Sequence, residues 1–243
     1  MRTSNPVLRA DTFALPSTSG ASMTIGGTVA KTAFFLLLAL VPALATYSLA
    51  VRGLAVGPWM MAGGIGGLVL AVVTAFKPAW ASITGSLYCL AQGLVLGGLS
   101  AHFEQRFPGI AISAAGCTLG TLAGLLLAYQ SGLIRVTEKF RMGIFAATAG
   151  IALFYLVSFV LRLFGIQVPY IHESGLIGIG FSAFVVIVAA LNLVLDFDFI
   201  EQGASHGAPK YMEWYAAFGL MVTLIWLYIE ILRLLAKIMG RRS

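Results

Sequence analysis

The sequence predicts an all-α integral membrane protein, a bundle of seven transmembrane helices, and three observations carry that fold class. Hydrophobic residues make up 59% of the 243-residue chain and charged residues only 10%, against roughly 25% charged in an ordinary soluble domain. Mean hydropathy is +0.95, more apolar surface than a core of this size can hide, so most of it must face lipid tails or other membrane helices. Apolar runs of about 20 residues, enough helix to cross roughly 30 Å of hydrocarbon, recur seven times along the chain.

Taken in order, residues 1–26 carry Arg2, Arg9, Asp11, two prolines and several Ser and Thr with no apolar segment. They read as a flexible cytoplasmic N-terminal tail rather than a cleavable signal peptide. The transmembrane domain is expected over 27–243, with helices at 30–51, 58–76, 80–100, 109–130, 142–165, 175–197 and 214–238. Connections are short, such as Arg52-Gly53 before Pro58, Lys77-Pro78, and His102 to Pro108, so consecutive helices should be antiparallel neighbours.

The net charge of +6 lies mostly in these connections. It reads as loop charge rather than a nucleic-acid footprint, and no basic patch with interleaved aromatics accompanies it. With the amino terminus in the cytoplasm, inner segments hold Arg2, Arg9, Lys31, Lys77, Arg135, Lys139, Arg141 and Lys210, and outer ones hold Arg52, Arg106 and Arg162, as the positive-inside rule asks. The basic residues of the tail, Arg233, Lys237, Arg241 and Arg242, do not comply. Either one segment is re-entrant or the first helices override the last.

Glycines suggest close helix packing. Gly116, Gly120 and Gly124, Gly93 and Gly97, and Gly63 and Gly67 each lie four apart on one helix face, a spacing that lets backbones approach. Cys89 and Cys117 fall within apolar runs and fit small buried side chains better than a disulfide or metal site. His102, His172 and His206 fall between the expected helices without metal-ligand spacing. The membrane serines Ser82, Ser86 and Ser158 have no histidine near in sequence to activate them, and the motifs of hydrolases, zinc proteases and nucleotide-binding enzymes are missing, so no enzyme is expected.

What remains is a set of acids that cannot easily be placed in loops. An ionised carboxylate in hydrocarbon costs several kcal/mol, so such a group meets a partner, a water cavity or a proton. Asp196 and Asp198 close the sixth run and Glu230 lies within the seventh. Helical spacing puts Asn192 and Asp196 on one face, and Thr223, Glu230, Arg233 and Lys237 along one stripe. Two readings stand open. In one, a carboxylate pair at one depth shares a proton and senses pH, or when deprotonated holds calcium in competition with protons. In the other, Asp196 and Asp198 mark a helix end at the interface and Glu230 pairs with Arg233 three residues on.

Four segments carry a resemblance: 88–97 (YCLAQGLVLG), 134–141 (IRVTEKFR), 191–203 (LNLVLDFDFIEQG) and 209–215 (PKYMEWY) through Glu230. Over nearly the whole chain after Met23 they resemble the bacterial YccA branch of the Bax inhibitor family, the transmembrane Bax inhibitor motif proteins. The resemblance implies two groups of three helices around a central C-terminal helix. It implies a pH-sensitive calcium leak of the bacterial inner membrane, controlled by one carboxylate in the sixth helix and one in the seventh. By motif these fall on Asp196 and Glu230, which would sense protons and bind calcium. No other cofactor is implied. A basic residue at the inner end of the second helix, here Lys77, would bridge to the sixth-helix acid in the closed state, with Asp198 and Arg233 as further gate or latch residues. Gln92 and Asn192 would supply polar lining. Gln92 stands where many relatives carry Glu, so it hydrogen-bonds without titrating.

Depth is the difficulty for this pair, since Asp196 lies closer to the break at Gly203, Gly207 and Pro209 than Glu230 does. The conflict resolves if Pro209 to about Ala217 is an amphipathic interfacial stretch anchored by Trp214 and Tyr215. As a regulatory membrane protein, the chain would instead bind a membrane-bound AAA protease or another membrane partner, as the YccA resemblance suggests. A proton-coupled solute transporter ranks third, with an intramembrane aspartyl protease a distant competitor.

Overall fold

The computed structural model describes residues 21–165 and 175–242. The part of the expected tail before residue 21, and His172, lie outside the described residues. Seven helices follow in order: α1 (Ile25–Val51), α2 (Gly57–Phe76), α3 (Ala81–Arg106), α4 (Ile110–Gln130), α5 (Glu138–Leu163), α6 (Leu176–Ser205) and α7 (Met212–Arg242). A single 3-10 turn, Pro78–Trp80, joins α2 to α3. All seven helices are long and apolar enough to cross a membrane, and no strand occurs among the described residues.

Several helices run past the limits that hydropathy gave. α1 begins at Ile25 because Thr24 caps it, its hydroxyl accepting from the Gly27 N–H at 3.0 Å. Thr137 caps α5 in the same way at Phe140. α3 continues through His102 to Arg106, so His102 is helical rather than in a connection. α6 continues two turns past Asp196, because Phe197, Ile200 and Gly203 keep a buried face while Asp198, Glu201 and Gln202 point away from it. A run of charges within a helix lowers hydropathy without ending the hydrogen-bond ladder.

The first three helices pack together, with α3 against both α1 and α2, while α6 joins α4 and α5. α7 touches α1, α3, α4 and α6. Its spanning stretch is 50% buried, against 11–39% for the other six, so α7 is the central helix. Ala217, Leu220, Met221, Leu224, Leu227, Ile231 and Leu232 line its core face, at the three-and-four spacing of a helix buried along one stripe.

Glycine sets the closest approaches in the first group. A β-carbon on Gly93 or Gly97 would run into the Ala39 or Ala43 carbonyl of α1, and one on Gly63 would meet the Ala91 carbonyl of α3. The α4 glycines behave differently. Gly116, Gly120 and Gly124 have open space where a β-carbon would stand, so this ridge packs on no helix among the described residues. Cys117 shares that exposed surface, contrary to the buried position expected of it, while Cys89 is fully buried and both thiols are free.

With seven full crossings, the two ends of the bundle carry different charges. Arg52, Arg106, Arg162, Arg233, Lys237, Arg241 and Arg242 belong to the end where α1, α3, α5 and α7 finish. The other eight of the 15 Lys and Arg belong, by position in the chain, to the end where α1 starts. No described segment is re-entrant, so the basic tail stays on the same end as Arg106 and Arg162.

Candidate functional site

The site is built on α6 and α7, which run antiparallel. Thr223 lies beside Asp196, and the Lys237 ammonium donates to the Ser182 hydroxyl at 2.8 Å and to the Gly178 carbonyl at 3.0 Å. Both pairings belong to one register. Continuing it, Glu230 lies seven residues beyond Thr223, about 10 Å of helix from the level of Asp196. The helix ends agree: Asp196 stands about 14 Å before the end of α6 and Glu230 about 27 Å after the start of α7.

The two carboxylates therefore lie at different depths and make no direct pair. An interfacial stretch over Pro209–Ala217 does not close the gap, because α7 is helical from Met212 and Ala216, Ala217 and Phe218 are core residues. Trp214 packs against Phe34 and Phe35 of α1, and Tyr215 against Phe199 and Phe218. Both rings are held by the protein, where an interfacial anchor would face lipid headgroups. The expected pair is corrected to two separate carboxylates on facing helices.

Their surroundings differ. Glu230 is 1% exposed. Its carboxylate accepts from the Tyr155 hydroxyl of α5 at 3.1 and 3.2 Å and from the Arg233 guanidinium at 3.0 Å. Arg233 also lies over the Tyr155 ring, 5.7 Å from its centroid, so acid, cation and phenol form one closed cluster. Asp196 has no such cluster. Its Oδ2 is buried and accepts no hydrogen bond among the described residues, and the neighbouring Thr223 hydroxyl donates back to the Gly219 carbonyl at 3.3 Å. A buried carboxyl oxygen without a donor is uncommon in folded proteins. Ionised, it carries a desolvation cost of several kcal/mol that a proton or a cation would remove.

The remaining expected residues fall around this centre. Asp198 is bound on the far side of α6, accepting from Arg141 of α5 at 2.7 Å and from Gln202 at 2.7 Å. The base that bridges to the acidic segment of α6 is thus Arg141, where Lys77 was expected. Lys77 caps α2 with its ammonium 4.5 Å from the centroid of the Trp80 ring, and makes no ion pair among the described residues. Gln92 packs against Gly67 between α2 and α3, so its polar group serves that interface and lies off the α6–α7 seam. Asn192 donates to the Thr148 hydroxyl at 2.8 Å and to the Val188 carbonyl at 2.9 Å, tying α6 to α5.

A second charged centre escaped sequence reading. Glu213, in the first turn of α7, has a fully buried side chain. It accepts from the Thr24 N–H and the Thr24 hydroxyl, both at 2.9 Å, and pairs with Lys31 and with Lys210 at 2.9 Å. Residues 22–24, expected in the tail, are part of this clasp: Met23 is buried and its N–H donates to the Ala208 carbonyl at 2.7 Å. Only the Lys210–Glu213 spacing was visible in sequence. Thr24 and Lys31 stand about 180 residues away.

Among the described residues, no three His, Cys, Asp or Glu side chains are grouped to hold a metal ion. A cation meeting Asp196 would find one carboxylate and the Thr223 oxygen from the chain, so water would have to fill most of the six to eight oxygen positions calcium takes. That donor set fits a passing or weakly held cation better than a resident one.

A seven-helix membrane bundle wrapped around a buried C-terminal helix, with carboxylates on its sixth and seventh helices, defines the class of protein. Within that class the chain belongs to the Bax inhibitor 1 like family, whose family model matches residues 5–240. Comparison with curated proteins returns no match.

Proposed function

We propose that the protein is a pH-sensitive calcium leak of the bacterial inner membrane in which Asp196 is the proton-responsive group. The single observation that supports this reading is the Asp196 Oδ2 atom, buried at the α6–α7 seam with no hydrogen-bond donor. Protonated, the group is neutral and the seam closes around it at little cost. Deprotonated, it is an acceptor in low dielectric that draws a cation, so protons and calcium compete for one oxygen site.

Glu230 takes a different part from the one the family resemblance implied, and follows the other reading of the sequence, a pair with Arg233. Its ion pair with Arg233 lies within α7, and the Tyr155 hydroxyl donating to it fastens α7 to α5 two turns from Asp196. Asp198 and Arg141 fasten α6 to α5 on its other face. α5 is the least buried of the seven helices, held by these two latches together with the Asn192–Thr148 hydrogen bond and the packing of Ile151 on Val185 and Val188, so release of the latches would loosen its hold on the seam. Discrete packings of this kind are how a small change of charge becomes a change of state.

Calcium flux into proteoliposomes, measured across pH for the parent, Asp196→Asn and Glu230→Gln, tests the reading. Parent flux should vary with pH, the Asp196→Asn flux should be flat, and Glu230→Gln should keep the pH dependence while changing the amplitude. A parent that passes no calcium at any pH, or an Asp196→Asn variant that tracks it, overturns the leak. The protein would then be taken as a regulator of a membrane partner such as a membrane-bound AAA protease.

A further inference from the structure

A cavity of about 680 Å³ opens at the end of the bundle where α3, α5 and α7 finish and α6 begins. Its size lies in the range of small-molecule sites, and its walls are unusual for a membrane protein. Four cations converge on it from three helices: Arg106, Arg162, Arg233 and Lys237, with His102 beside them. The one acid of the lining is Glu230, already engaged by Arg233 and Tyr155. Four Lys and Arg less one Glu leave the lining with a formal charge of +3.

Attraction of cations to helix C-termini accounts for part of this pattern, since Arg106 and Arg162 each sit in the last turn of their own helix. It does not account for Arg233 and Lys237, which stand more than a turn before the end of α7. Nor does it explain why all four border one cavity. Arg106 and Arg162 make no ion pair among the described residues. In the same wall, the Ser158 hydroxyl oxygen is buried and has no hydrogen-bond partner. Two guanidinium groups without an anion and an unused hydroxyl are complementary to a group rich in acceptor oxygens.

We propose that this cavity binds a phosphate group, held by Arg106 and Arg162 with the Ser158 hydroxyl as a further donor. Inorganic phosphate carries more than one negative charge on four oxygens, and a lipid phosphodiester carries one charge on two non-bridging oxygens, so either presents charged acceptors to two planar guanidinium groups. Two sources supply it: free phosphate from solution or the headgroup of an anionic lipid. Basic pockets between transmembrane helices at the membrane surface suit the second, and Phe103, Phe159 and Phe181 give the cavity an apolar side for what the phosphate is attached to. The inference stands apart from the calcium reading, because it concerns a different set of residues and a ligand of opposite charge.

The test uses the purified full-length chain in a neutral detergent. Thermal unfolding is followed on adding inorganic phosphate, short-chain phosphatidylglycerol or short-chain phosphatidylcholine, for the parent and for the double variant Arg106→Gln/Arg162→Gln. Circular dichroism of both proteins establishes that the variant folds. Protection of the parent by phosphate or by phosphatidylglycerol, with affinity at least tenfold weaker in the variant, supports the site. Protection by phosphatidylglycerol alone assigns the lipid source, and protection by inorganic phosphate assigns the soluble one. No protection of the parent by either, equal protection of parent and variant, or equal protection by phosphatidylcholine overturns it. A Ser158→Ala variant should weaken the same binding without abolishing it. Calcium flux enters none of these readouts, so failure of the leak would leave this result unchanged.

Discussion

Replacing Glu213 by Gln should destabilise the protein more than any other single removal of charge. The side chain is fully buried and receives four donors: the Thr24 N–H, the Thr24 hydroxyl, Lys31 and Lys210. Lys210 is half exposed, and a pair with an exposed cation is worth about 0–1 kcal/mol. Lys31 is only 17% exposed, and taking away the partner of a buried charge costs about 3–5 kcal/mol. The clasp sits at an end of the bundle where water relaxes part of that cost, so the lower figure of about 3 kcal/mol applies. In a chain of this size it corresponds to a Tm lower by about 6–12 °C. Trp214 is the reporter, since the Lys31 ammonium lies 5.2 Å from the centroid of its ring, and its emission follows unfolding in detergent. A double variant, Lys31→Met/Glu213→Gln, should recover part of the loss because no buried charge is left unpaired. A Glu213→Gln protein that unfolds within about 2 °C of the parent, a shift worth less than about 1 kcal/mol, would refute the clasp.

Further outcomes follow from the same packing. Gly97→Leu should separate α1 from α3 and prevent stable folding, whereas Gly120→Leu should be tolerated, because a β-carbon meets the Ala43 backbone at the first site and open space at the second; yield of monodisperse protein in detergent compares them. Tyr228→Phe removes the 2.6 Å hydrogen bond between α7 and Ser100 of α3 and should lower stability by about 1 kcal/mol, read as a Tm shift. Arg141→Gln unfastens Asp198 from α5 and should raise amide hydrogen exchange in α5 while leaving α1–α3 unchanged.

How much of this could be read from the sequence depends on whether the partners were close along the chain. The seven spans follow from hydropathy, and α7 as the central helix followed from the family resemblance. The Glu230–Arg233 pair was visible as an i,i+3 spacing. Arg141 and Asp198 are 57 residues apart and Thr24 and Glu213 are 189 apart, and no periodicity links such pairs. The orientation of a glycine ridge was hidden for a different reason. Lipid and neighbouring helices are both apolar, so Gly93 against α1 and Gly120 against open surface carry the same pattern. Asp196 and Glu230 both stand in helices long and apolar enough to cross a membrane, but their depths depend on where α6 ends and α7 begins, and charged residues in α6 obscured that end. The basic tail stood out as a departure from the positive-inside rule. In three dimensions its residues Arg233 and Lys237 form the cavity wall with Arg106 and Arg162.

Competition between a proton and calcium at Asp196 is the central claim, and proton release on calcium addition measures it directly. In weakly buffered detergent solution near neutral pH, calcium added to the parent should release protons into the medium, and the Asp196→Asn protein should release none. Equal release from the two proteins, or no release from the parent, would contradict the claim.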